Sequence, residues 1–550
     1  MLTLRISIIG EGLNMDLTRE ASDLLSGKTV LGIELGSTRI KSVIIGRDHK
    51  PVSEGAYNWE NQLADGIWTY SLDEVKKGLE NSYSDLINKT EEKTGIRPTS
   101  FAAMGVSGMM HGYLAFNDRN ELLVPFRTWR NIMTEQAARD LTELFGYNIP
   151  QRYSISHLYQ AILNKESHVS EIAYLTTLAG YVHWKLTGRK VLGIGDASGM
   201  FPIDPMMKTY RKDFIEKFER IPAINKMPWK LTDILPHILL AGDSAGRLTA
   251  DGAAFLDPTG ELQPGVPLCP PEGDAETGMV ATDAVSPRTG NISAGTSDFA
   301  ILVLENPLHA VYQEIDIVAS PSGELAANVH CNNCTSDLNA WVNLFGEAIS
   351  LLGYKADHNT LFNRFFEAAL QGEADAGNII SYNYLAGEIT THVDEGCPLL
   401  MRSPESRFNL VNFMRSQLYA CIATLRIGMD ILFQNENLKF DRIMGHGGFF
   451  KTPGVGQQIL ADAMGLPITL TETAAQGGAW GIALLAQYML VSQGEPLGKW
   501  LDEEVFRGCR SIVVKPDERG QTGFNSFLER YKKGLPAEYA AGSVFSKGGK

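Results

Sequence analysis

Two segments of this chain limit its fold more than any other feature. Val30 to Ile45 reads VLGIELGSTRIKSVII, and Asn291 to Leu304 reads NISAGTSDFAILVL. Each is an apolar run, a turn of small residues (Gly36-Ser37-Thr38; Gly295-Thr296-Ser297) and a second apolar run, which is the pattern of a β-hairpin. The two lie in opposite halves of the chain, too far apart for a solenoid repeat. One hairpin opening each of two similar domains fits that spacing. A chain of 550 residues is also too long for one hydrophobic core.

The rest of the pattern alternates helices and strands, which indicates α/β domains. Leu72 to Thr90 has helical periodicity. Phe101 to Ser107 is a small-residue strand, Ile172 to Leu186 reads as a buried helix, and Ser336 to Leu352 as another. A long apolar helix is predicted from Leu410 to Phe433. After it come a strand at Phe440 to Gly445, a glycine turn at Gly445 to Gly448, a helix at Gly454 to Met464 and a strand at Pro467 to Leu470. A linker is predicted near Ala284 to Gly290, which gives domains over 28–284 and 285–510 and a tail over 511–550. The tail after Lys533 is rich in Gly, Ala and Lys and reads as loosely ordered. Residues 1–14 are set aside from the fold, because Met15 can serve as the start.

Composition excludes several classes. The net charge of −15 argues against a nucleic-acid or anionic-membrane partner. No apolar run reaches the roughly 18 residues that span a bilayer. The six cysteines are scattered and form no disulfide framework, so reduced thiols in a cytoplasm are expected. Cys331 and Cys334 form one CxxC, without the second CxxC or His pair of a zinc site.

Several turns carry candidate chemistry. Ser26-Gly27-Lys28-Thr29 resembles the end of a phosphate loop, but it precedes a strand and lacks the required upstream Gly, so it reads as a polar lead-in. The Gly-Ser-Thr and Gly-Thr-Ser turns are better placed, since such turns expose N–H groups and hydroxyls to phosphate oxygens. Glu34 precedes the first turn and can hold Mg²⁺; Lys41 on the return strand can face phosphate, or simply solvent. Asp274, in GDAETG just before the linker, is a candidate general base or a plain turn-former. Met110-His111-Gly112 follows a strand end, where a His can bind hydroxyls or serve the structure. Gly447 and Gly448 sit in a strand-to-helix turn that permits close backbone approach. A second glycine turn, Gln476-Gly477-Gly478-Ala479, opens the apolar helix Trp480 to Tyr488.

Together these residues resemble the FGGY family of carbohydrate kinases, in order from about Val30 to Gln487. Met110-His111-Gly112 is most similar to the segment of the xylulose kinases. The resemblance implies an actin/hexokinase-type fold, two ribonuclease-H-like domains with an interdomain cleft, sugar on the N-terminal side and nucleotide on the C-terminal side. It implies Asp274 as the catalytic aspartate and Met110, His111, Gly112, Trp129 and Asp274 around the sugar. Gly36, Ser37, Thr38, Lys41, Gly295, Thr296, Ser297, Gly447, Gly448 and Gln458 fall to ATP, and Glu34 to Mg²⁺. Ala461, Asp462 and the Asp196-Ala197-Ser198-Gly199 turn match further family segments. The chain departs from the pattern at Glu34, where Asp is usual; at Asn131, which ends a Trp-x-Asp pattern; at Ser156 to Asn164; and at Asn409, where Gly is usual.

The implied reaction is ATP-dependent phosphorylation of a sugar hydroxyl, with a ketopentose such as xylulose as the expected acceptor. Ribulose, gluconate, a deoxy-ketose or a tetritol are alternatives within the same chemistry. A weakly catalytic sugar- or nucleotide-sensing protein is the alternative from another class. The expected partner is a small-molecule sugar; a homodimer is compatible with the sequence, which does not fix oligomeric state.

Overall fold

Val30–Leu35 (β1) and Arg39–Ile45 (β2) pair antiparallel, with Leu35 opposite Ile40 and Val30 opposite Ile45. The register turns Leu31, Ile33, Leu35, Ile40 and Ile44 into one core, each no more than 0% exposed. These coordinates are a computed structural model that describes residues 19–473 and 476–545. The segment from residue 1 to Met15 lies outside the described residues.

Pro51–Asn58 (β3) continues the hairpin, and Ala103–Gly108 (β4) and Glu272–Gly273 (β5) add parallel strands on the other side of β1. The sheet order is β5-β4-β1-β2-β3. The helix Leu72–Thr94 covers β3. It buries Val75, Leu79, Tyr83, Leu86 and Ile87 on one face, as its 3.6-residue period dictates. Ser71 caps its N-terminus by accepting from the Glu74 N–H, and Gly95 at φ 73° ends it.

The second half repeats this design. Thr289–Ala294 (β6) and Asp298–Val303 (β7) form the second hairpin, Ile315–Ala319 (β8) lies at the sheet edge, and Leu325–Cys331 (β9) pairs antiparallel with β7. Arg442–His446 (β10) and Ile468–Thr471 (β11) add parallel strands beside β6, and Ser511–Val514 (β12) closes that edge. The run β11-β10-β6-β7-β9 has the order and strand directions of β5-β4-β1-β2-β3. The duplication suggested by the two hairpins therefore extends to whole five-stranded sheets.

The chain forms two compact units. The first holds residues 19–281, with Val318–Glu324 and Gln476–Arg507; the second holds Thr282–Ile317, 325–473 and 508–545. These compact units cut across the sequence-contiguous division into 28–284 and 285–510. The helix Gly477–Val491 was placed by sequence in the C-terminal domain, yet it packs on the first unit's sheet. A Cβ added at Gly32 would lie 2.1 Å from the Ala479 carbonyl oxygen, and one at Gly481 would lie 2.0 Å from the Thr277 carbonyl oxygen. The tail is a second correction. Glu518–Phe545 is one helix, and beyond Lys533 it carries the fully buried Glu538. The glycines that suggested looseness are points of close approach: a Cβ at Gly542 would lie 2.1 Å from the Glu395 carbonyl oxygen. A third concerns Ile172 to Leu186, which divides into a strand, Tyr174–Thr176, and a helix, Leu178–Thr187 capped by Thr177. The Ser26-Gly27 turn ends a helical stretch over 19–25 and leads into β1, with no helix after it to receive phosphate.

Candidate active site

In the first unit, β1, β4 and β5 run parallel, so their carboxyl ends emerge at one edge of the sheet, where open α/β sheets place their ligands. β1 ends in the Gly36-Ser37-Thr38 turn, β4 in Met110-His111-Gly112, and β5 in Asp274, the first residue of the helix Asp274–Ala281. Three sequence-distant motifs thus meet for a reason of register alone.

The turn itself is oriented by aromatic side chains. The Gly36 carbonyl accepts from the Trp59 indole N–H at 2.7 Å, and the Ser37 carbonyl accepts from the Tyr70 hydroxyl at 2.5 Å. In a trans peptide the N–H points opposite its carbonyl. The N–H groups of Ser37 and Thr38 therefore face away from Trp59 and Tyr70, beside their own exposed hydroxyls. That is a nest of donors for an anion.

Asp274 accepts from the Met110 N–H at 3.3 Å. Burial, then the negative charge of Glu34, push its carboxyl up to about 7. A carboxylate poised there can take a proton near neutral pH. Glu34 is also raised, by burial, against the opposing effects of Lys41 and the Ala479 N–H. Its Oε2 accepts from that N–H at 3.2 Å and lies 4.0 Å from the Lys41 ammonium. Glu34 thus sits at the N-terminus of the helix Gly477–Val491, where the helix end favours its ionised form. Missing side chains make room for it, since a Cβ at Gly478 would lie 2.7 Å from Glu34 Oε1. The Glu34 side chain is still 14% exposed, which leaves it reachable from solvent.

His111 is buried at φ 65°, stacked on Tyr153 with ring centroids 5.0 Å apart, and its Nδ1 lies 3.3 Å from the Gly199 carbonyl. The Asp196-to-Gly199 turn thereby touches the Met-His-Gly segment. Trp129 packs half-buried against the first unit's core. Its neighbour Asn131, the departure from Trp-x-Asp, bonds Trp68 through both N–H and carbonyl, which an Asp could not do.

Three carboxyls beside Asp274 had no chemical role assigned from sequence. Glu272 accepts from the Asp196 N–H at 2.8 Å, and Asp196 accepts from the Thr177 hydroxyl at 2.5 Å. Glu276 is fully buried, filling space left by Gly195 and Gly273. Burial pushes Glu272 and Asp196 each up to about 8, and Glu276 well above the usual carboxylate range. Only the crowding of Glu and Asp in EGDAE hinted at this nest.

In the second unit the same logic recurs. The Gly295 carbonyl accepts from the Thr335 N–H at 3.0 Å, and the Thr296 carbonyl from the Cys334 N–H at 3.1 Å. The N–H groups of Thr296 and Ser297 face the other way. β6 and β10 are parallel, with Ser293 opposite His446, which sets Gly447 and Gly448 beside this turn. Gly447, at φ 107°, lies so close to β6 that a Cβ would be 2.4 Å from the Ala294 carbonyl oxygen; around Gly448 and Gly295 the space is open. These open, donor-rich turns fit a nucleotide's phosphates. Gln458 has another engagement: its amide donates to Asp462 at 2.8 Å and to the Lys515 carbonyl at 3.2 Å, and so ties its helix to the chain beyond β12. All six cysteines are free thiols.

Comparison with known proteins agrees with this geometry. Residues 29–280 match the N-terminal domain, and residues 290–490 the C-terminal domain, of the FGGY family of carbohydrate kinases. The chain belongs to that family, and it is a carbohydrate kinase with the two-domain actin/hexokinase-like fold. It is 21% identical to a xylulose kinase of Haemophilus influenzae over 471 residues, 82% of this chain and 89% of that one. A solved xylulose kinase of Lactobacillus acidophilus superposes with a TM-score of 0.77 at 16% identity, over 94% of this chain and 100% of that one. A gluconate kinase of the same organism gives 0.76 at 17% identity, over the same shares. No helix among the described residues is long and apolar enough to cross a membrane.

Proposed function

We propose that the protein transfers the γ-phosphoryl group of ATP to a hydroxyl of a ketopentose, with xylulose as the expected acceptor. The observation that carries this reading is Asp274: a carboxylate at a parallel-strand end, held by Met110, with its proton affinity raised to about 7. The xylulose kinases among the relatives, and the Met110-His111-Gly112 segment, support the choice of acceptor.

Asp274 accepts the proton of the acceptor hydroxyl as its oxygen attacks phosphorus. Met110, His111, Gly112 and Trp129 form the sugar's surroundings. The N–H and hydroxyl groups of Ser37, Thr38, Thr296 and Ser297 bind phosphate oxygens, and Lys41 adds a positive charge. Gly447 and Gly448 let the backbone approach the nucleotide, with Gln458 holding the helix behind them. Glu34 is the residue that would hold Mg²⁺, which when bound neutralises phosphate charge. The transition state of phosphoryl transfer is loose, so positioning and charge supply most of the rate. A base of this kind contributes about 10²–10⁴-fold.

The test is a coupled ADP-release assay over xylulose, ribulose, gluconate, a deoxy-ketose and a tetritol. Asp274→Ala is expected to lower kcat by about 10²–10⁴-fold with ATP affinity kept. The base works only when ionised, so kcat/KM is expected to fall as pH drops below about 7. A variant retaining half the wild-type turnover removes Asp274 from the mechanism. Turnover confined to a sugar other than xylulose replaces the acceptor and leaves the chemistry.

A further inference from the structure

The two phosphate turns are braced by different means. Aromatic side chains hold the first, through Trp59 and Tyr70. The second is held mainly by backbone: the Cys334 and Thr335 N–H groups on the Thr296 and Gly295 carbonyls, reinforced by the Thr335 hydroxyl on the Gly295 carbonyl at 2.6 Å and the Ser336 hydroxyl on the Thr296 carbonyl at 3.3 Å. A loop cannot hold a turn unless something holds the loop. Behind it lies Glu388, 2% exposed, whose Oε2 accepts from the Asn332 N–H at 2.8 Å and the Asn333 side-chain N–H at 3.1 Å. Asn333, also buried, closes the arrangement: its Oδ1 accepts from the Leu385 and Ala386 N–H groups at 2.9 and 3.0 Å, and its amide donates to the Ala386 carbonyl at 3.1 Å.

We propose that Glu388 and Asn333 are positioning residues for the nucleotide. They lock the Asn332-to-Thr335 backbone, that backbone pins the Gly295 and Thr296 carbonyls, and peptide planarity then aims the Thr296 and Ser297 N–H groups at phosphate. Neither side chain touches the nucleotide. Their effect falls on ATP affinity, because a turn free to rotate must be ordered anew each time ATP binds. The proton transfer to Asp274 belongs to other elements and is untouched. The proposal rests on the reading that the Gly295-to-Ser297 turn binds phosphate.

The experiment measures ATP affinity by calorimetry, and kcat at saturating ATP and sugar, for Glu388→Ala, Asn333→Ala, Glu388→Gln, Thr335→Val and Gly295→Val. Glu388→Ala and Asn333→Ala are expected to raise the Kd for ATP about tenfold, the effect of losing buried hydrogen bonds that hold the loop. Their kcat at saturation is expected to stay within about twofold. Glu388→Gln keeps an oxygen for the Asn332 N–H and is expected to recover most of the affinity. Thr335→Val deletes only the hydroxyl bond to Gly295, and a rise of about threefold, about 0.7 kcal/mol, is expected; it serves if the alanine variants fail to fold. Weakened binding in Gly295→Val with unchanged binding in the Glu388, Asn333 and Thr335 variants overturns the brace alone. Unchanged binding in Gly295→Val overturns the phosphate reading and the brace with it. A fall in kcat without a change in Kd also overturns it.

Discussion

Glu34 shows how one side chain can serve two masters at a strand end. Its longer arm reaches the Ala479 N–H at 3.2 Å, so it caps a helix through a residue 445 positions later in the chain. An Asp, one methylene shorter, would leave that N–H less well served. If Glu34 also serves the metal, Glu34→Gln is expected to raise the Mg²⁺ concentration for half-maximal rate, with partial rescue by excess Mg²⁺. Glu34→Asp is expected to give a smaller metal defect and a loss of stability from the weakened cap, of order 0.5–2 kcal/mol. Superimposable Mg²⁺ titrations of the three proteins would leave Glu34 as a helix cap only. Asp274 is tied to the same spot, since the Glu34 charge is the second cause of its raised proton affinity.

At the scale of elements, the helix Gly477–Val491 is the part on which the candidate site most depends. Its sequence is apolar on every face, with Trp480, Ile482, Leu484 and Leu485 buried, as a helix enclosed on all sides requires. It meets the helix Asp274–Ala281 at Gly481, where a Cβ would lie 2.0 Å from the Thr277 carbonyl oxygen. Backbone cannot yield as a side-chain tip does. Gly481→Ala is therefore expected to cost about 1–3 kcal/mol by overpacking and to lower the melting temperature by a few degrees. It pushes on the helix that carries Asp274, so kcat is expected to fall as well. A wild-type melting curve together with wild-type kcat would mean that the two helices separate freely, and that their packing does not set the position of Asp274.

For the whole molecule, the first unit is not a continuous stretch of chain. A fragment of residues 19–284 contains the five strands of its sheet but lacks Gln476–Arg507. Each large apolar side chain of the missing helix contributes roughly 1.5–3 kcal/mol when buried. Four of them together approach the 5–15 kcal/mol that stabilises a whole domain. The fragment is expected to show no cooperative thermal unfolding by circular dichroism, and joining residues 476–507 to it through a flexible linker is expected to restore a transition. A cooperative transition in the shorter fragment would show that the sheet is stable without its covering helix.

The sequence by itself determined the two hairpins, their glycine turns, the α/β class and the candidacy of Asp274. Those are local matters: alternation of apolar residues, small residues at turns and a carboxylate after a strand are written in consecutive positions. Even Asn409, where the family pattern has Gly, has a local explanation, since its side chain caps the helix Leu410–Asp430 by accepting from the Asn412 N–H. The tertiary structure alone decided which sheet the helix Gly477–Val491 covers, that Glu34 caps it, that Asp196, Glu272 and Glu276 form one buried acidic nest, and that the tail is a packed helix. Each of these depends on residues brought together from distant parts of the chain. Burial, which sets the charge of a carboxyl, belongs to the packed environment, and no run of consecutive residues records it.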